Sequence, residues 1–252
     1  MRRDLHALVL LLVGGTLLKL AITGDYVRYV KAGLRPYLLA AGAVLVVVAV
    51  FSLLGRVRRP AADGHAGTAR GDGHDDEGHG HGHGTGQGWL DVAWLLVVPM
   101  TVLLLIAPSA LGSFSASRSG TALGAAQSSD FPSLPSGDPV RVSVLDYASR
   151  AVFDQGRSLT GRQVTLSGFL LAQPGGWYLT RMVITCCAAD AQPVKVGLTG
   201  SVPAGLSAND WLEVTGRYTQ KVDHDGVNGE TIPYLDVSSA HPVAAPKEQY
   251  DS

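Results

Sequence analysis

The sequence is short of charge and short of cysteine, and each shortage narrows what the protein can be. Only 16% of its 252 residues are charged and the formal net charge is −1. Nothing in this balance points to a nucleic acid or to an acidic partner. The two cysteines are adjacent, so one intramolecular disulfide is the most the chain can form, and the C-x-x-C pattern of a dithiol redox enzyme is missing.

What the sequence does have is three long apolar runs in its first 111 residues. They cover residues 5–22, 36–54 and 92–111. Each approaches the roughly 20 apolar residues that cross about 30 Å of hydrocarbon as a helix. The sequence therefore predicts three transmembrane helices, two of them within residues 1–54 and the third at residues 89–111.

Basic residues are distributed unevenly over the two sides of these predicted spans. One side carries six and the other carries four. The six are Arg2, Arg3, Arg56, Arg58, Arg59 and Arg70, and the four are Arg28, Lys31, Arg35 and Arg118. Because basic residues near span ends stay in the cytoplasm, the pattern predicts a multi-pass protein of the cell membrane. Its N-terminus would be cytoplasmic and its C-terminal domain extracytoplasmic.

The stretch between the second and third runs, residues 55–88, is rich in glycine, charge and histidine. It has too few apolar side chains to build a core, so we expect it to be disordered. Neutral imidazole is a common metal ligand. The candidate ligands in this stretch are His74, His79, His81 and His83. Two interpretations stay open, an adaptable metal-binding loop and a low-complexity spacer.

The remainder of the chain reads as a linker followed by a β domain. Residues 112–139 are rich in Ser, Gly and Pro, which is typical of a linker. Residues 140–252 begin with a short helical pattern, and five strand patterns follow. These start at Arg162, Gly176, Pro193, Trp211 and Thr231. Gly168 and Gly216 interrupt two of them, as glycines do at bulges and barrel bends.

Five short strands with such interruptions predict an all-β soluble domain with the fold of a small OB-like barrel. An SH3-like barrel or an open sandwich is the alternative. Some OB barrels bind oligonucleotides, but from residue 140 onward the chain has 9 Lys and Arg against 11 Asp and Glu. The basic stripe of a nucleic-acid-binding surface is absent, so no nucleic-acid partner is expected.

The cysteines, Cys186 and Cys187, stand at the end of the second predicted strand in the stretch RMVITCCAADAQPV. Neighbouring side chains of a strand point to opposite faces, so the two thiols can share one ion only if the strand ends there. Cys186 follows alternate apolar residues and is the thiol expected to be buried. Asp190 offers a third ligand and His224 a distant fourth. Simple burial, metal binding and redox chemistry all stay open.

Three features occur together in the sequence. They are TGDYVRYV after the first span, the histidine-rich loop, and the motif that contains Arg181, Cys186, Cys187 and Asp190. In this combination the chain resembles the YcgQ family of bacterial membrane proteins, which are described as permease subunits. The resemblance implies a YcgR-like polytopic permease as partner and no established substrate or enzymatic activity. The family's association with zinc homeostasis agrees with the histidines.

The expected function is that of an auxiliary membrane subunit of a permease. Its extracytoplasmic barrel would offer Cys186, Cys187 and Asp190 to a divalent or soft metal ion, with Zn²⁺ or another transition metal as the candidate cofactor. No residue is assigned a catalytic role and no enzyme is expected. The alternatives are a membrane-anchored thiol redox protein and an envelope binding module. The latter would use Trp177, Tyr178 and Trp211.

Overall fold

The computed structural model describes residues 2–57, 101–102, 109–123 and 131–251. The chain divides into two compact units. One unit is Met1–Thr23 with Arg35–Pro108, and the other is Gly24–Leu34 with Ser109–Ser252. Residues 58–88 and most of the predicted third span lie outside the described residues. So do the candidate ligands His74, His79, His81 and His83.

The first unit contains a pair of helices, α1 (Arg2–Thr23) and α2 (Arg35–Val57). Small residues recur every seven positions where the two helices meet. They are Ala7, Gly14 and Ala21 on α1, and Gly42 and Ala49 on α2. A Cβ atom on Gly14 would lie only 3.0 Å from the carbonyl oxygen of Gly42. Glycine is therefore what lets the two backbones approach, as at helix contacts within membranes.

The outward surface of this helix pair is apolar. The side chains of Leu8, Val44 and Phe51 are 56%, 61% and 69% exposed. Mean hydropathy is 1.9 over His6–Thr23 and 2.6 over Ala32–Leu54, and only 22% and 11% of these stretches are buried. Both helices are long and apolar enough to span a membrane. The first two predicted spans thus correspond to helices of this kind, while the predicted third span falls mainly on residues that are not described.

The second unit contains a closed five-stranded β-barrel, as the sequence predicts. Its strands are β1 (Val140–Arg141), β2 (Gln163–Gln173), β3 (Gly176–Val183), β4 (Gln192–Gly200), β5 (Trp211–His224), β6 (Thr231–Pro242) and β7 (Tyr250–Asp251). Strands β2 to β6 form the barrel, and each begins within one residue of its predicted start. The short strand β1 pairs in parallel with β2, and the short strand β7 pairs in parallel with β3.

The barrel closes through a mixture of pairings. Strands β2, β3 and β4 follow one another as antiparallel neighbours. Strand β4 then pairs in parallel with β6, β6 pairs antiparallel with β5, and β5 returns antiparallel to β2. Because every barrel strand has a partner on both sides, no long edge is left open to pair with another chain.

The two glycines predicted to bend the sheet do so. Strand β2 pairs with β5 up to Phe169 and with β3 from Phe169 onward, so Gly168 lies where it changes partner. A Cβ atom on Gly168 would lie 2.7 Å from the carbonyl oxygen of Thr180. Gly216 lies at a register shift between β5 and β6, which is the expected bulge.

One helix, α3 (Val144–Phe153), covers part of the barrel. Ser143 caps it by accepting a hydrogen bond from the Asp146 N–H at 3.0 Å. Its buried face includes Tyr147, whose hydroxyl donates to the carbonyl oxygen of Tyr234 at 2.7 Å. The short helix predicted from the sequence is therefore confirmed, and it packs against the core.

The predicted linker, residues 112–139, behaves differently from a free linker. Ala116, at the end of a helical turn at Ser113–Ala116, packs in the barrel domain's buried clusters of apolar side chains, as do Leu123 and Leu134. Ala116 and Thr121 are fully buried, and Leu134 is 9% exposed. The N–H of Ala122 also donates to the carbonyl oxygen of Pro193 in β4 at 2.9 Å. Small side chains give this segment the composition of a linker while allowing it to pack closely.

Candidate metal centre

The two cysteines lie in a loop and not in a strand. Strand β3 ends at Val183, and a 3₁₀ turn at Ala188–Asp190 follows the cysteines. The two thiols could share one ion only if the strand ended before them, and strand β3 does end before them. Cys186 and Cys187 therefore escape the alternation of neighbouring side chains that holds within a strand.

The carboxylate of Asp190 organises this loop. One oxygen accepts the N–H of Thr185 at 3.0 Å. The other accepts the N–H of Cys186 at 2.8 Å and, at 3.4 Å, the N–H of Cys187. A carboxylate that accepts several backbone N–H groups holds a turn in one shape. Asp190 thus folds the chain back so that its own oxygens face the two sulfur atoms.

The result is a group of three possible metal ligands. The ligand atoms of Cys186, Cys187 and Asp190 all lie within 4.8 Å of one another. Cys186 is exposed, whereas Cys187 and Asp190 are half-buried. The prediction that Cys186 is the buried thiol is wrong, because the strand alternation on which it depended ends at Val183. Both thiols are free in the structure.

The carboxylate also sets the protonation of the exposed thiol. The hydrogen bond to Asp190 is the main cause that raises the pKa of the Cys186 thiol to about 12. The same bond is the main cause that lowers the pKa of Asp190 to about 2. Since both a nucleophilic and a metal-binding cysteine must be a thiolate, this hydrogen bond opposes thiol-redox chemistry while no cation is bound. A metal ion that binds Cys186 has to displace the thiol proton, so its binding depends on pH.

The donor set fits a divalent transition metal. Zn²⁺ accepts thiolate and carboxylate ligands in tetrahedral geometry, and three protein ligands leave one position for a further ligand. In the part of the chain that the structure describes, no lysine, arginine or histidine pairs with Asp190. A cavity of about 360 Å³ opens beside this carboxylate. Its lining includes Gln192, Ser119 and Asn228.

Arg181 does not join the group. Its Nε donates to the Oδ1 of Asp251 at 3.0 Å, and the two side chains are 12% and 13% exposed. The guanidinium also lies 5.0 Å from the ring centroid of Trp211. Arg181 therefore holds β7 beside β3. His224 stays apart as well, with its Nδ1 3.3 Å from the carbonyl oxygen of Gly229.

The aromatic residues considered for a binding surface pack inward. Tyr178 is 2% exposed, and its hydroxyl donates to the Oδ2 of Asp223 at 2.9 Å. Trp211 packs edge-on against Phe169 with ring centroids 6.0 Å apart. Trp177 is half-buried against the core. An exposed aromatic platform, which the envelope-binding alternative requires, is not formed by these three side chains.

One buried polar cluster was not predicted from the sequence. Lys195 and Asp225 are both fully buried, and the Lys195 Nζ lies 2.7 Å from the Asp225 Oδ2. The same Nζ donates to the carbonyl oxygen of Ser119 at 2.8 Å, and Asp225 accepts the N–H of Thr121. The signal in the sequence was a lysine between two strand valines, in PVKVGL. This ion pair fastens residues 119–123 to the barrel.

Two family models match the chain. The DUF1980 N-terminal domain matches residues 5–122, and the DUF1980 C-terminal domain matches residues 147–251. The chain is a two-domain DUF1980 protein. No curated protein and no solved structure matches it. The DUF1980 N-terminal domain runs past the helices to the segment that carries Thr121, while the three metal-ligand candidates belong to the DUF1980 C-terminal domain.

Proposed function

We propose that this DUF1980 protein is an accessory membrane subunit of a transport system and that its barrel binds a divalent transition metal. Zn²⁺ is the favoured ion, and Cys186, Cys187 and Asp190 are its ligands. The observation that carries the proposal is that their ligand atoms lie within 4.8 Å of one another. Thiolate donors favour zinc over magnesium and calcium, which prefer oxygen ligands alone.

The accessory role is supported by the helix pair. Transport paths are lined by polar or ionisable groups between helices, whereas small residues such as Gly14 and Gly42 bring α1 and α2 together. The outward surface of the pair is apolar and exposed, so lipid or further helices would cover it. The resemblance to the YcgQ family supplies the proposed partner, a YcgR-like polytopic permease.

The proposed extracytoplasmic side is supported by chain connectivity. A loop that joins two spanning helices lies on one side of the membrane, and a domain that hydrogen bonds to that loop lies on the same side. The loop Gly24–Leu34 joins α1 to α2 and belongs to the same compact unit as the barrel. The smaller number of basic residues on that side then favours the extracytoplasmic face.

We also propose that the barrel is OB-like. The barrel has five strands, and its third and fifth strands, β4 and β6, pair in parallel. A five-stranded Greek-key barrel of this kind is the OB architecture. The candidate ligands lie in the loop between β3 and β4. This loop is outside the barrel interior, so a solute can reach it.

Metal titration of the full-length protein tests the metal site. We expect Co²⁺, used as a probe for Zn²⁺, to produce the sulfur-to-cobalt charge-transfer absorption that reports thiolate ligands. The double variant Cys186→Ser/Cys187→Ser should lose this absorption and lower the Zn²⁺ affinity. The control replaces His74, His79, His81 and His83 by alanine and should keep the absorption. A wild-type protein with no charge-transfer absorption would contradict the metal proposal.

Single-cysteine labelling tests the side of the membrane. In a background that lacks Cys186 and Cys187, one variant carries Ala208→Cys on an exposed barrel loop and another carries Thr68→Cys in the histidine-rich stretch. A membrane-impermeant maleimide should label Ala208→Cys in intact cells and Thr68→Cys only after permeabilisation. The reverse pattern would place the barrel in the cytoplasm. Co-purification with a polytopic permease tests the accessory role.

A further inference from the structure

Two stretches far apart in the sequence meet at the cysteines. The N–H of Lys31 donates to the carbonyl oxygen of Cys186 at 3.0 Å, and the N–H of Ala188 donates to the carbonyl oxygen of Tyr29 at 2.6 Å. These bonds flank an isolated antiparallel bridge between Val30 and Cys187. The loop Gly24–Leu34 therefore holds the Cys186–Cys187 backbone as a strand would, at a point where the sheet itself has ended.

The loop is also held from its other side. The buried Tyr250 donates its hydroxyl to the carbonyl oxygen of Arg28 at 3.1 Å and accepts the N–H of Leu111 at the same distance. Tyr250 belongs to β7, which the Arg181–Asp251 ion pair keeps beside β3. Thus Arg181, a motif residue that does not reach the candidate ligands, fastens the strand that holds the loop.

This contact holds the backbone that carries the candidate ligands. Cys187 has φ −152° and ψ 169°, so its backbone is extended, and the chain then turns at Ala188–Asp190 to bring the carboxylate back. The loop holds the extended part through Cys186 and Ala188, while Asp190 holds the turn. The cysteine backbone therefore has two supports, the loop and the carboxylate of Asp190.

We infer that residues 29–31, in the loop between α1 and α2, are a positioning element of the metal site, so that both DUF1980 domains build it. The inference rests on the proposed metal function. Binding free energies are reciprocal, so a loop that favours the metal-binding arrangement is itself held more firmly when metal is bound. Since the loop continues into α1 at Thr23 and into α2 at Arg35, metal occupancy acts on the segment that joins the two helices.

The test compares two substitutions at one position in the full-length protein. Lys31→Pro removes the N–H that donates to Cys186, whereas the matched control Lys31→Ala removes the side chain and keeps that N–H. Co²⁺ titration followed by the charge-transfer absorption measures the cysteine site alone. We expect Lys31→Pro to weaken Co²⁺ binding by about fivefold, the effect of one net hydrogen bond, and Lys31→Ala to bind as the wild type does.

A second measurement does not depend on how Lys31→Pro folds. Hydrogen exchange of the Lys31 and Ala188 amides is followed in the wild type with and without Zn²⁺. We expect exchange to slow when Zn²⁺ is present, and to be unaffected by Zn²⁺ in Cys186→Ser. If the wild type binds metal but these amides exchange at an unchanged rate, the inference is overturned and the metal proposal stands. If the wild type shows no thiolate absorption, the metal proposal itself fails.

Discussion

Two aspartates, Asp225 and Asp190, each organise a loop of the barrel domain. They differ in the groups that surround the carboxylate charge. Asp225 is fully buried and accepts the N–H groups of Thr121 and Val227. Asp190 is half-buried and accepts the N–H groups of residues 185–187. Asp225 has the ammonium of Lys195 at 2.7 Å. Around Asp190, the described residues supply two thiols and no cation.

The difference separates a carboxylate paired inside the protein from the one that we propose as a metal ligand. Burial alone raises the pKa of Asp225, but the hydrogen bonds from Lys195, Val227 and Thr121 outweigh it and leave that pKa below its usual value. The charge of Asp225 is therefore balanced inside the protein. Among the described residues Asp190 and the two thiols have no such cation, and under the proposed function a metal ion supplies it through the exposed Cys186.

The largest expected effect comes from breaking the buried pair. We predict that Asp225→Ala lowers the free energy of unfolding by about 3–5 kcal/mol, because the Lys195 ammonium is left buried without a partner. Thermal unfolding of the full-length protein followed by circular dichroism measures it. The control is Glu230→Ala, an exposed acid of the same turn. Equal melting temperatures for the two variants would contradict the structural role.

Joint replacement of the buried pair sharpens this prediction. Lys195→Met with Asp225→Leu removes both charges and leaves no unpaired ion in the core, so it should be much less destabilising than Asp225→Ala alone. If the double variant is the less stable of the two, the ion pair has a role beyond satisfying its own charges.

A smaller effect is expected at the half-buried Asp190, and on Zn²⁺ affinity instead of stability. We predict that Asp190→Asn weakens Zn²⁺ binding at least about tenfold, since it removes a ligand charge and changes the bonds that orient the cysteines. Folding should persist, because the asparagine oxygen still accepts N–H groups. Competition with a chromophoric chelator measures the affinity. Unchanged Zn²⁺ affinity together with a lowered melting temperature would make Asp190 a structural residue like Asp225.

The smallest effect should come from giving the exposed site a cation of its own. Ala189 is exposed and adjacent to Asp190. We predict that Ala189→Lys weakens Zn²⁺ binding by about fivefold, the effect of roughly 1 kcal/mol between unit charges about 4 Å apart in water. The matched control Ala189→Gln should bind Zn²⁺ as the wild type does. The Lys and Gln variants should converge at high salt, which screens exposed charges.

The parts of the fold that could be predicted are those with a local cause. β-branched and aromatic residues alternate along the strands, so β2 to β6 begin within one residue of their predicted starts. Gly168 and Gly216 were recognisable because a glycine within a strand pattern usually has a geometric reason. The packing of residues 109–123 was not predictable, since Thr121 is buried through partners about 70 and 100 residues away.

Some features of the candidate site could be predicted from the sequence and others could not. Cys186, Cys187 and Asp190 were named from ligand chemistry and spacing, and the structure brings their ligand atoms together. Arg181 was named with them, but it pairs with Asp251 because β7 returns beside β3. The exposure of Cys186 was predicted in the wrong direction, because the point at which β3 ends depends on tertiary contacts and not on the alternation of apolar residues.

By itself, the sequence determined the apolar helices, the five strands and the residue types able to bind a metal. Each of these follows from periodicity, composition or ligand chemistry within a short window. Only the tertiary structure decided which carboxylate received a cation and which did not. It also brought Tyr29 and Lys31 into contact with the cysteine loop, although more than 150 residues separate them in the sequence. Such pairings depend on how the chain closes on itself, and no short stretch of sequence records that.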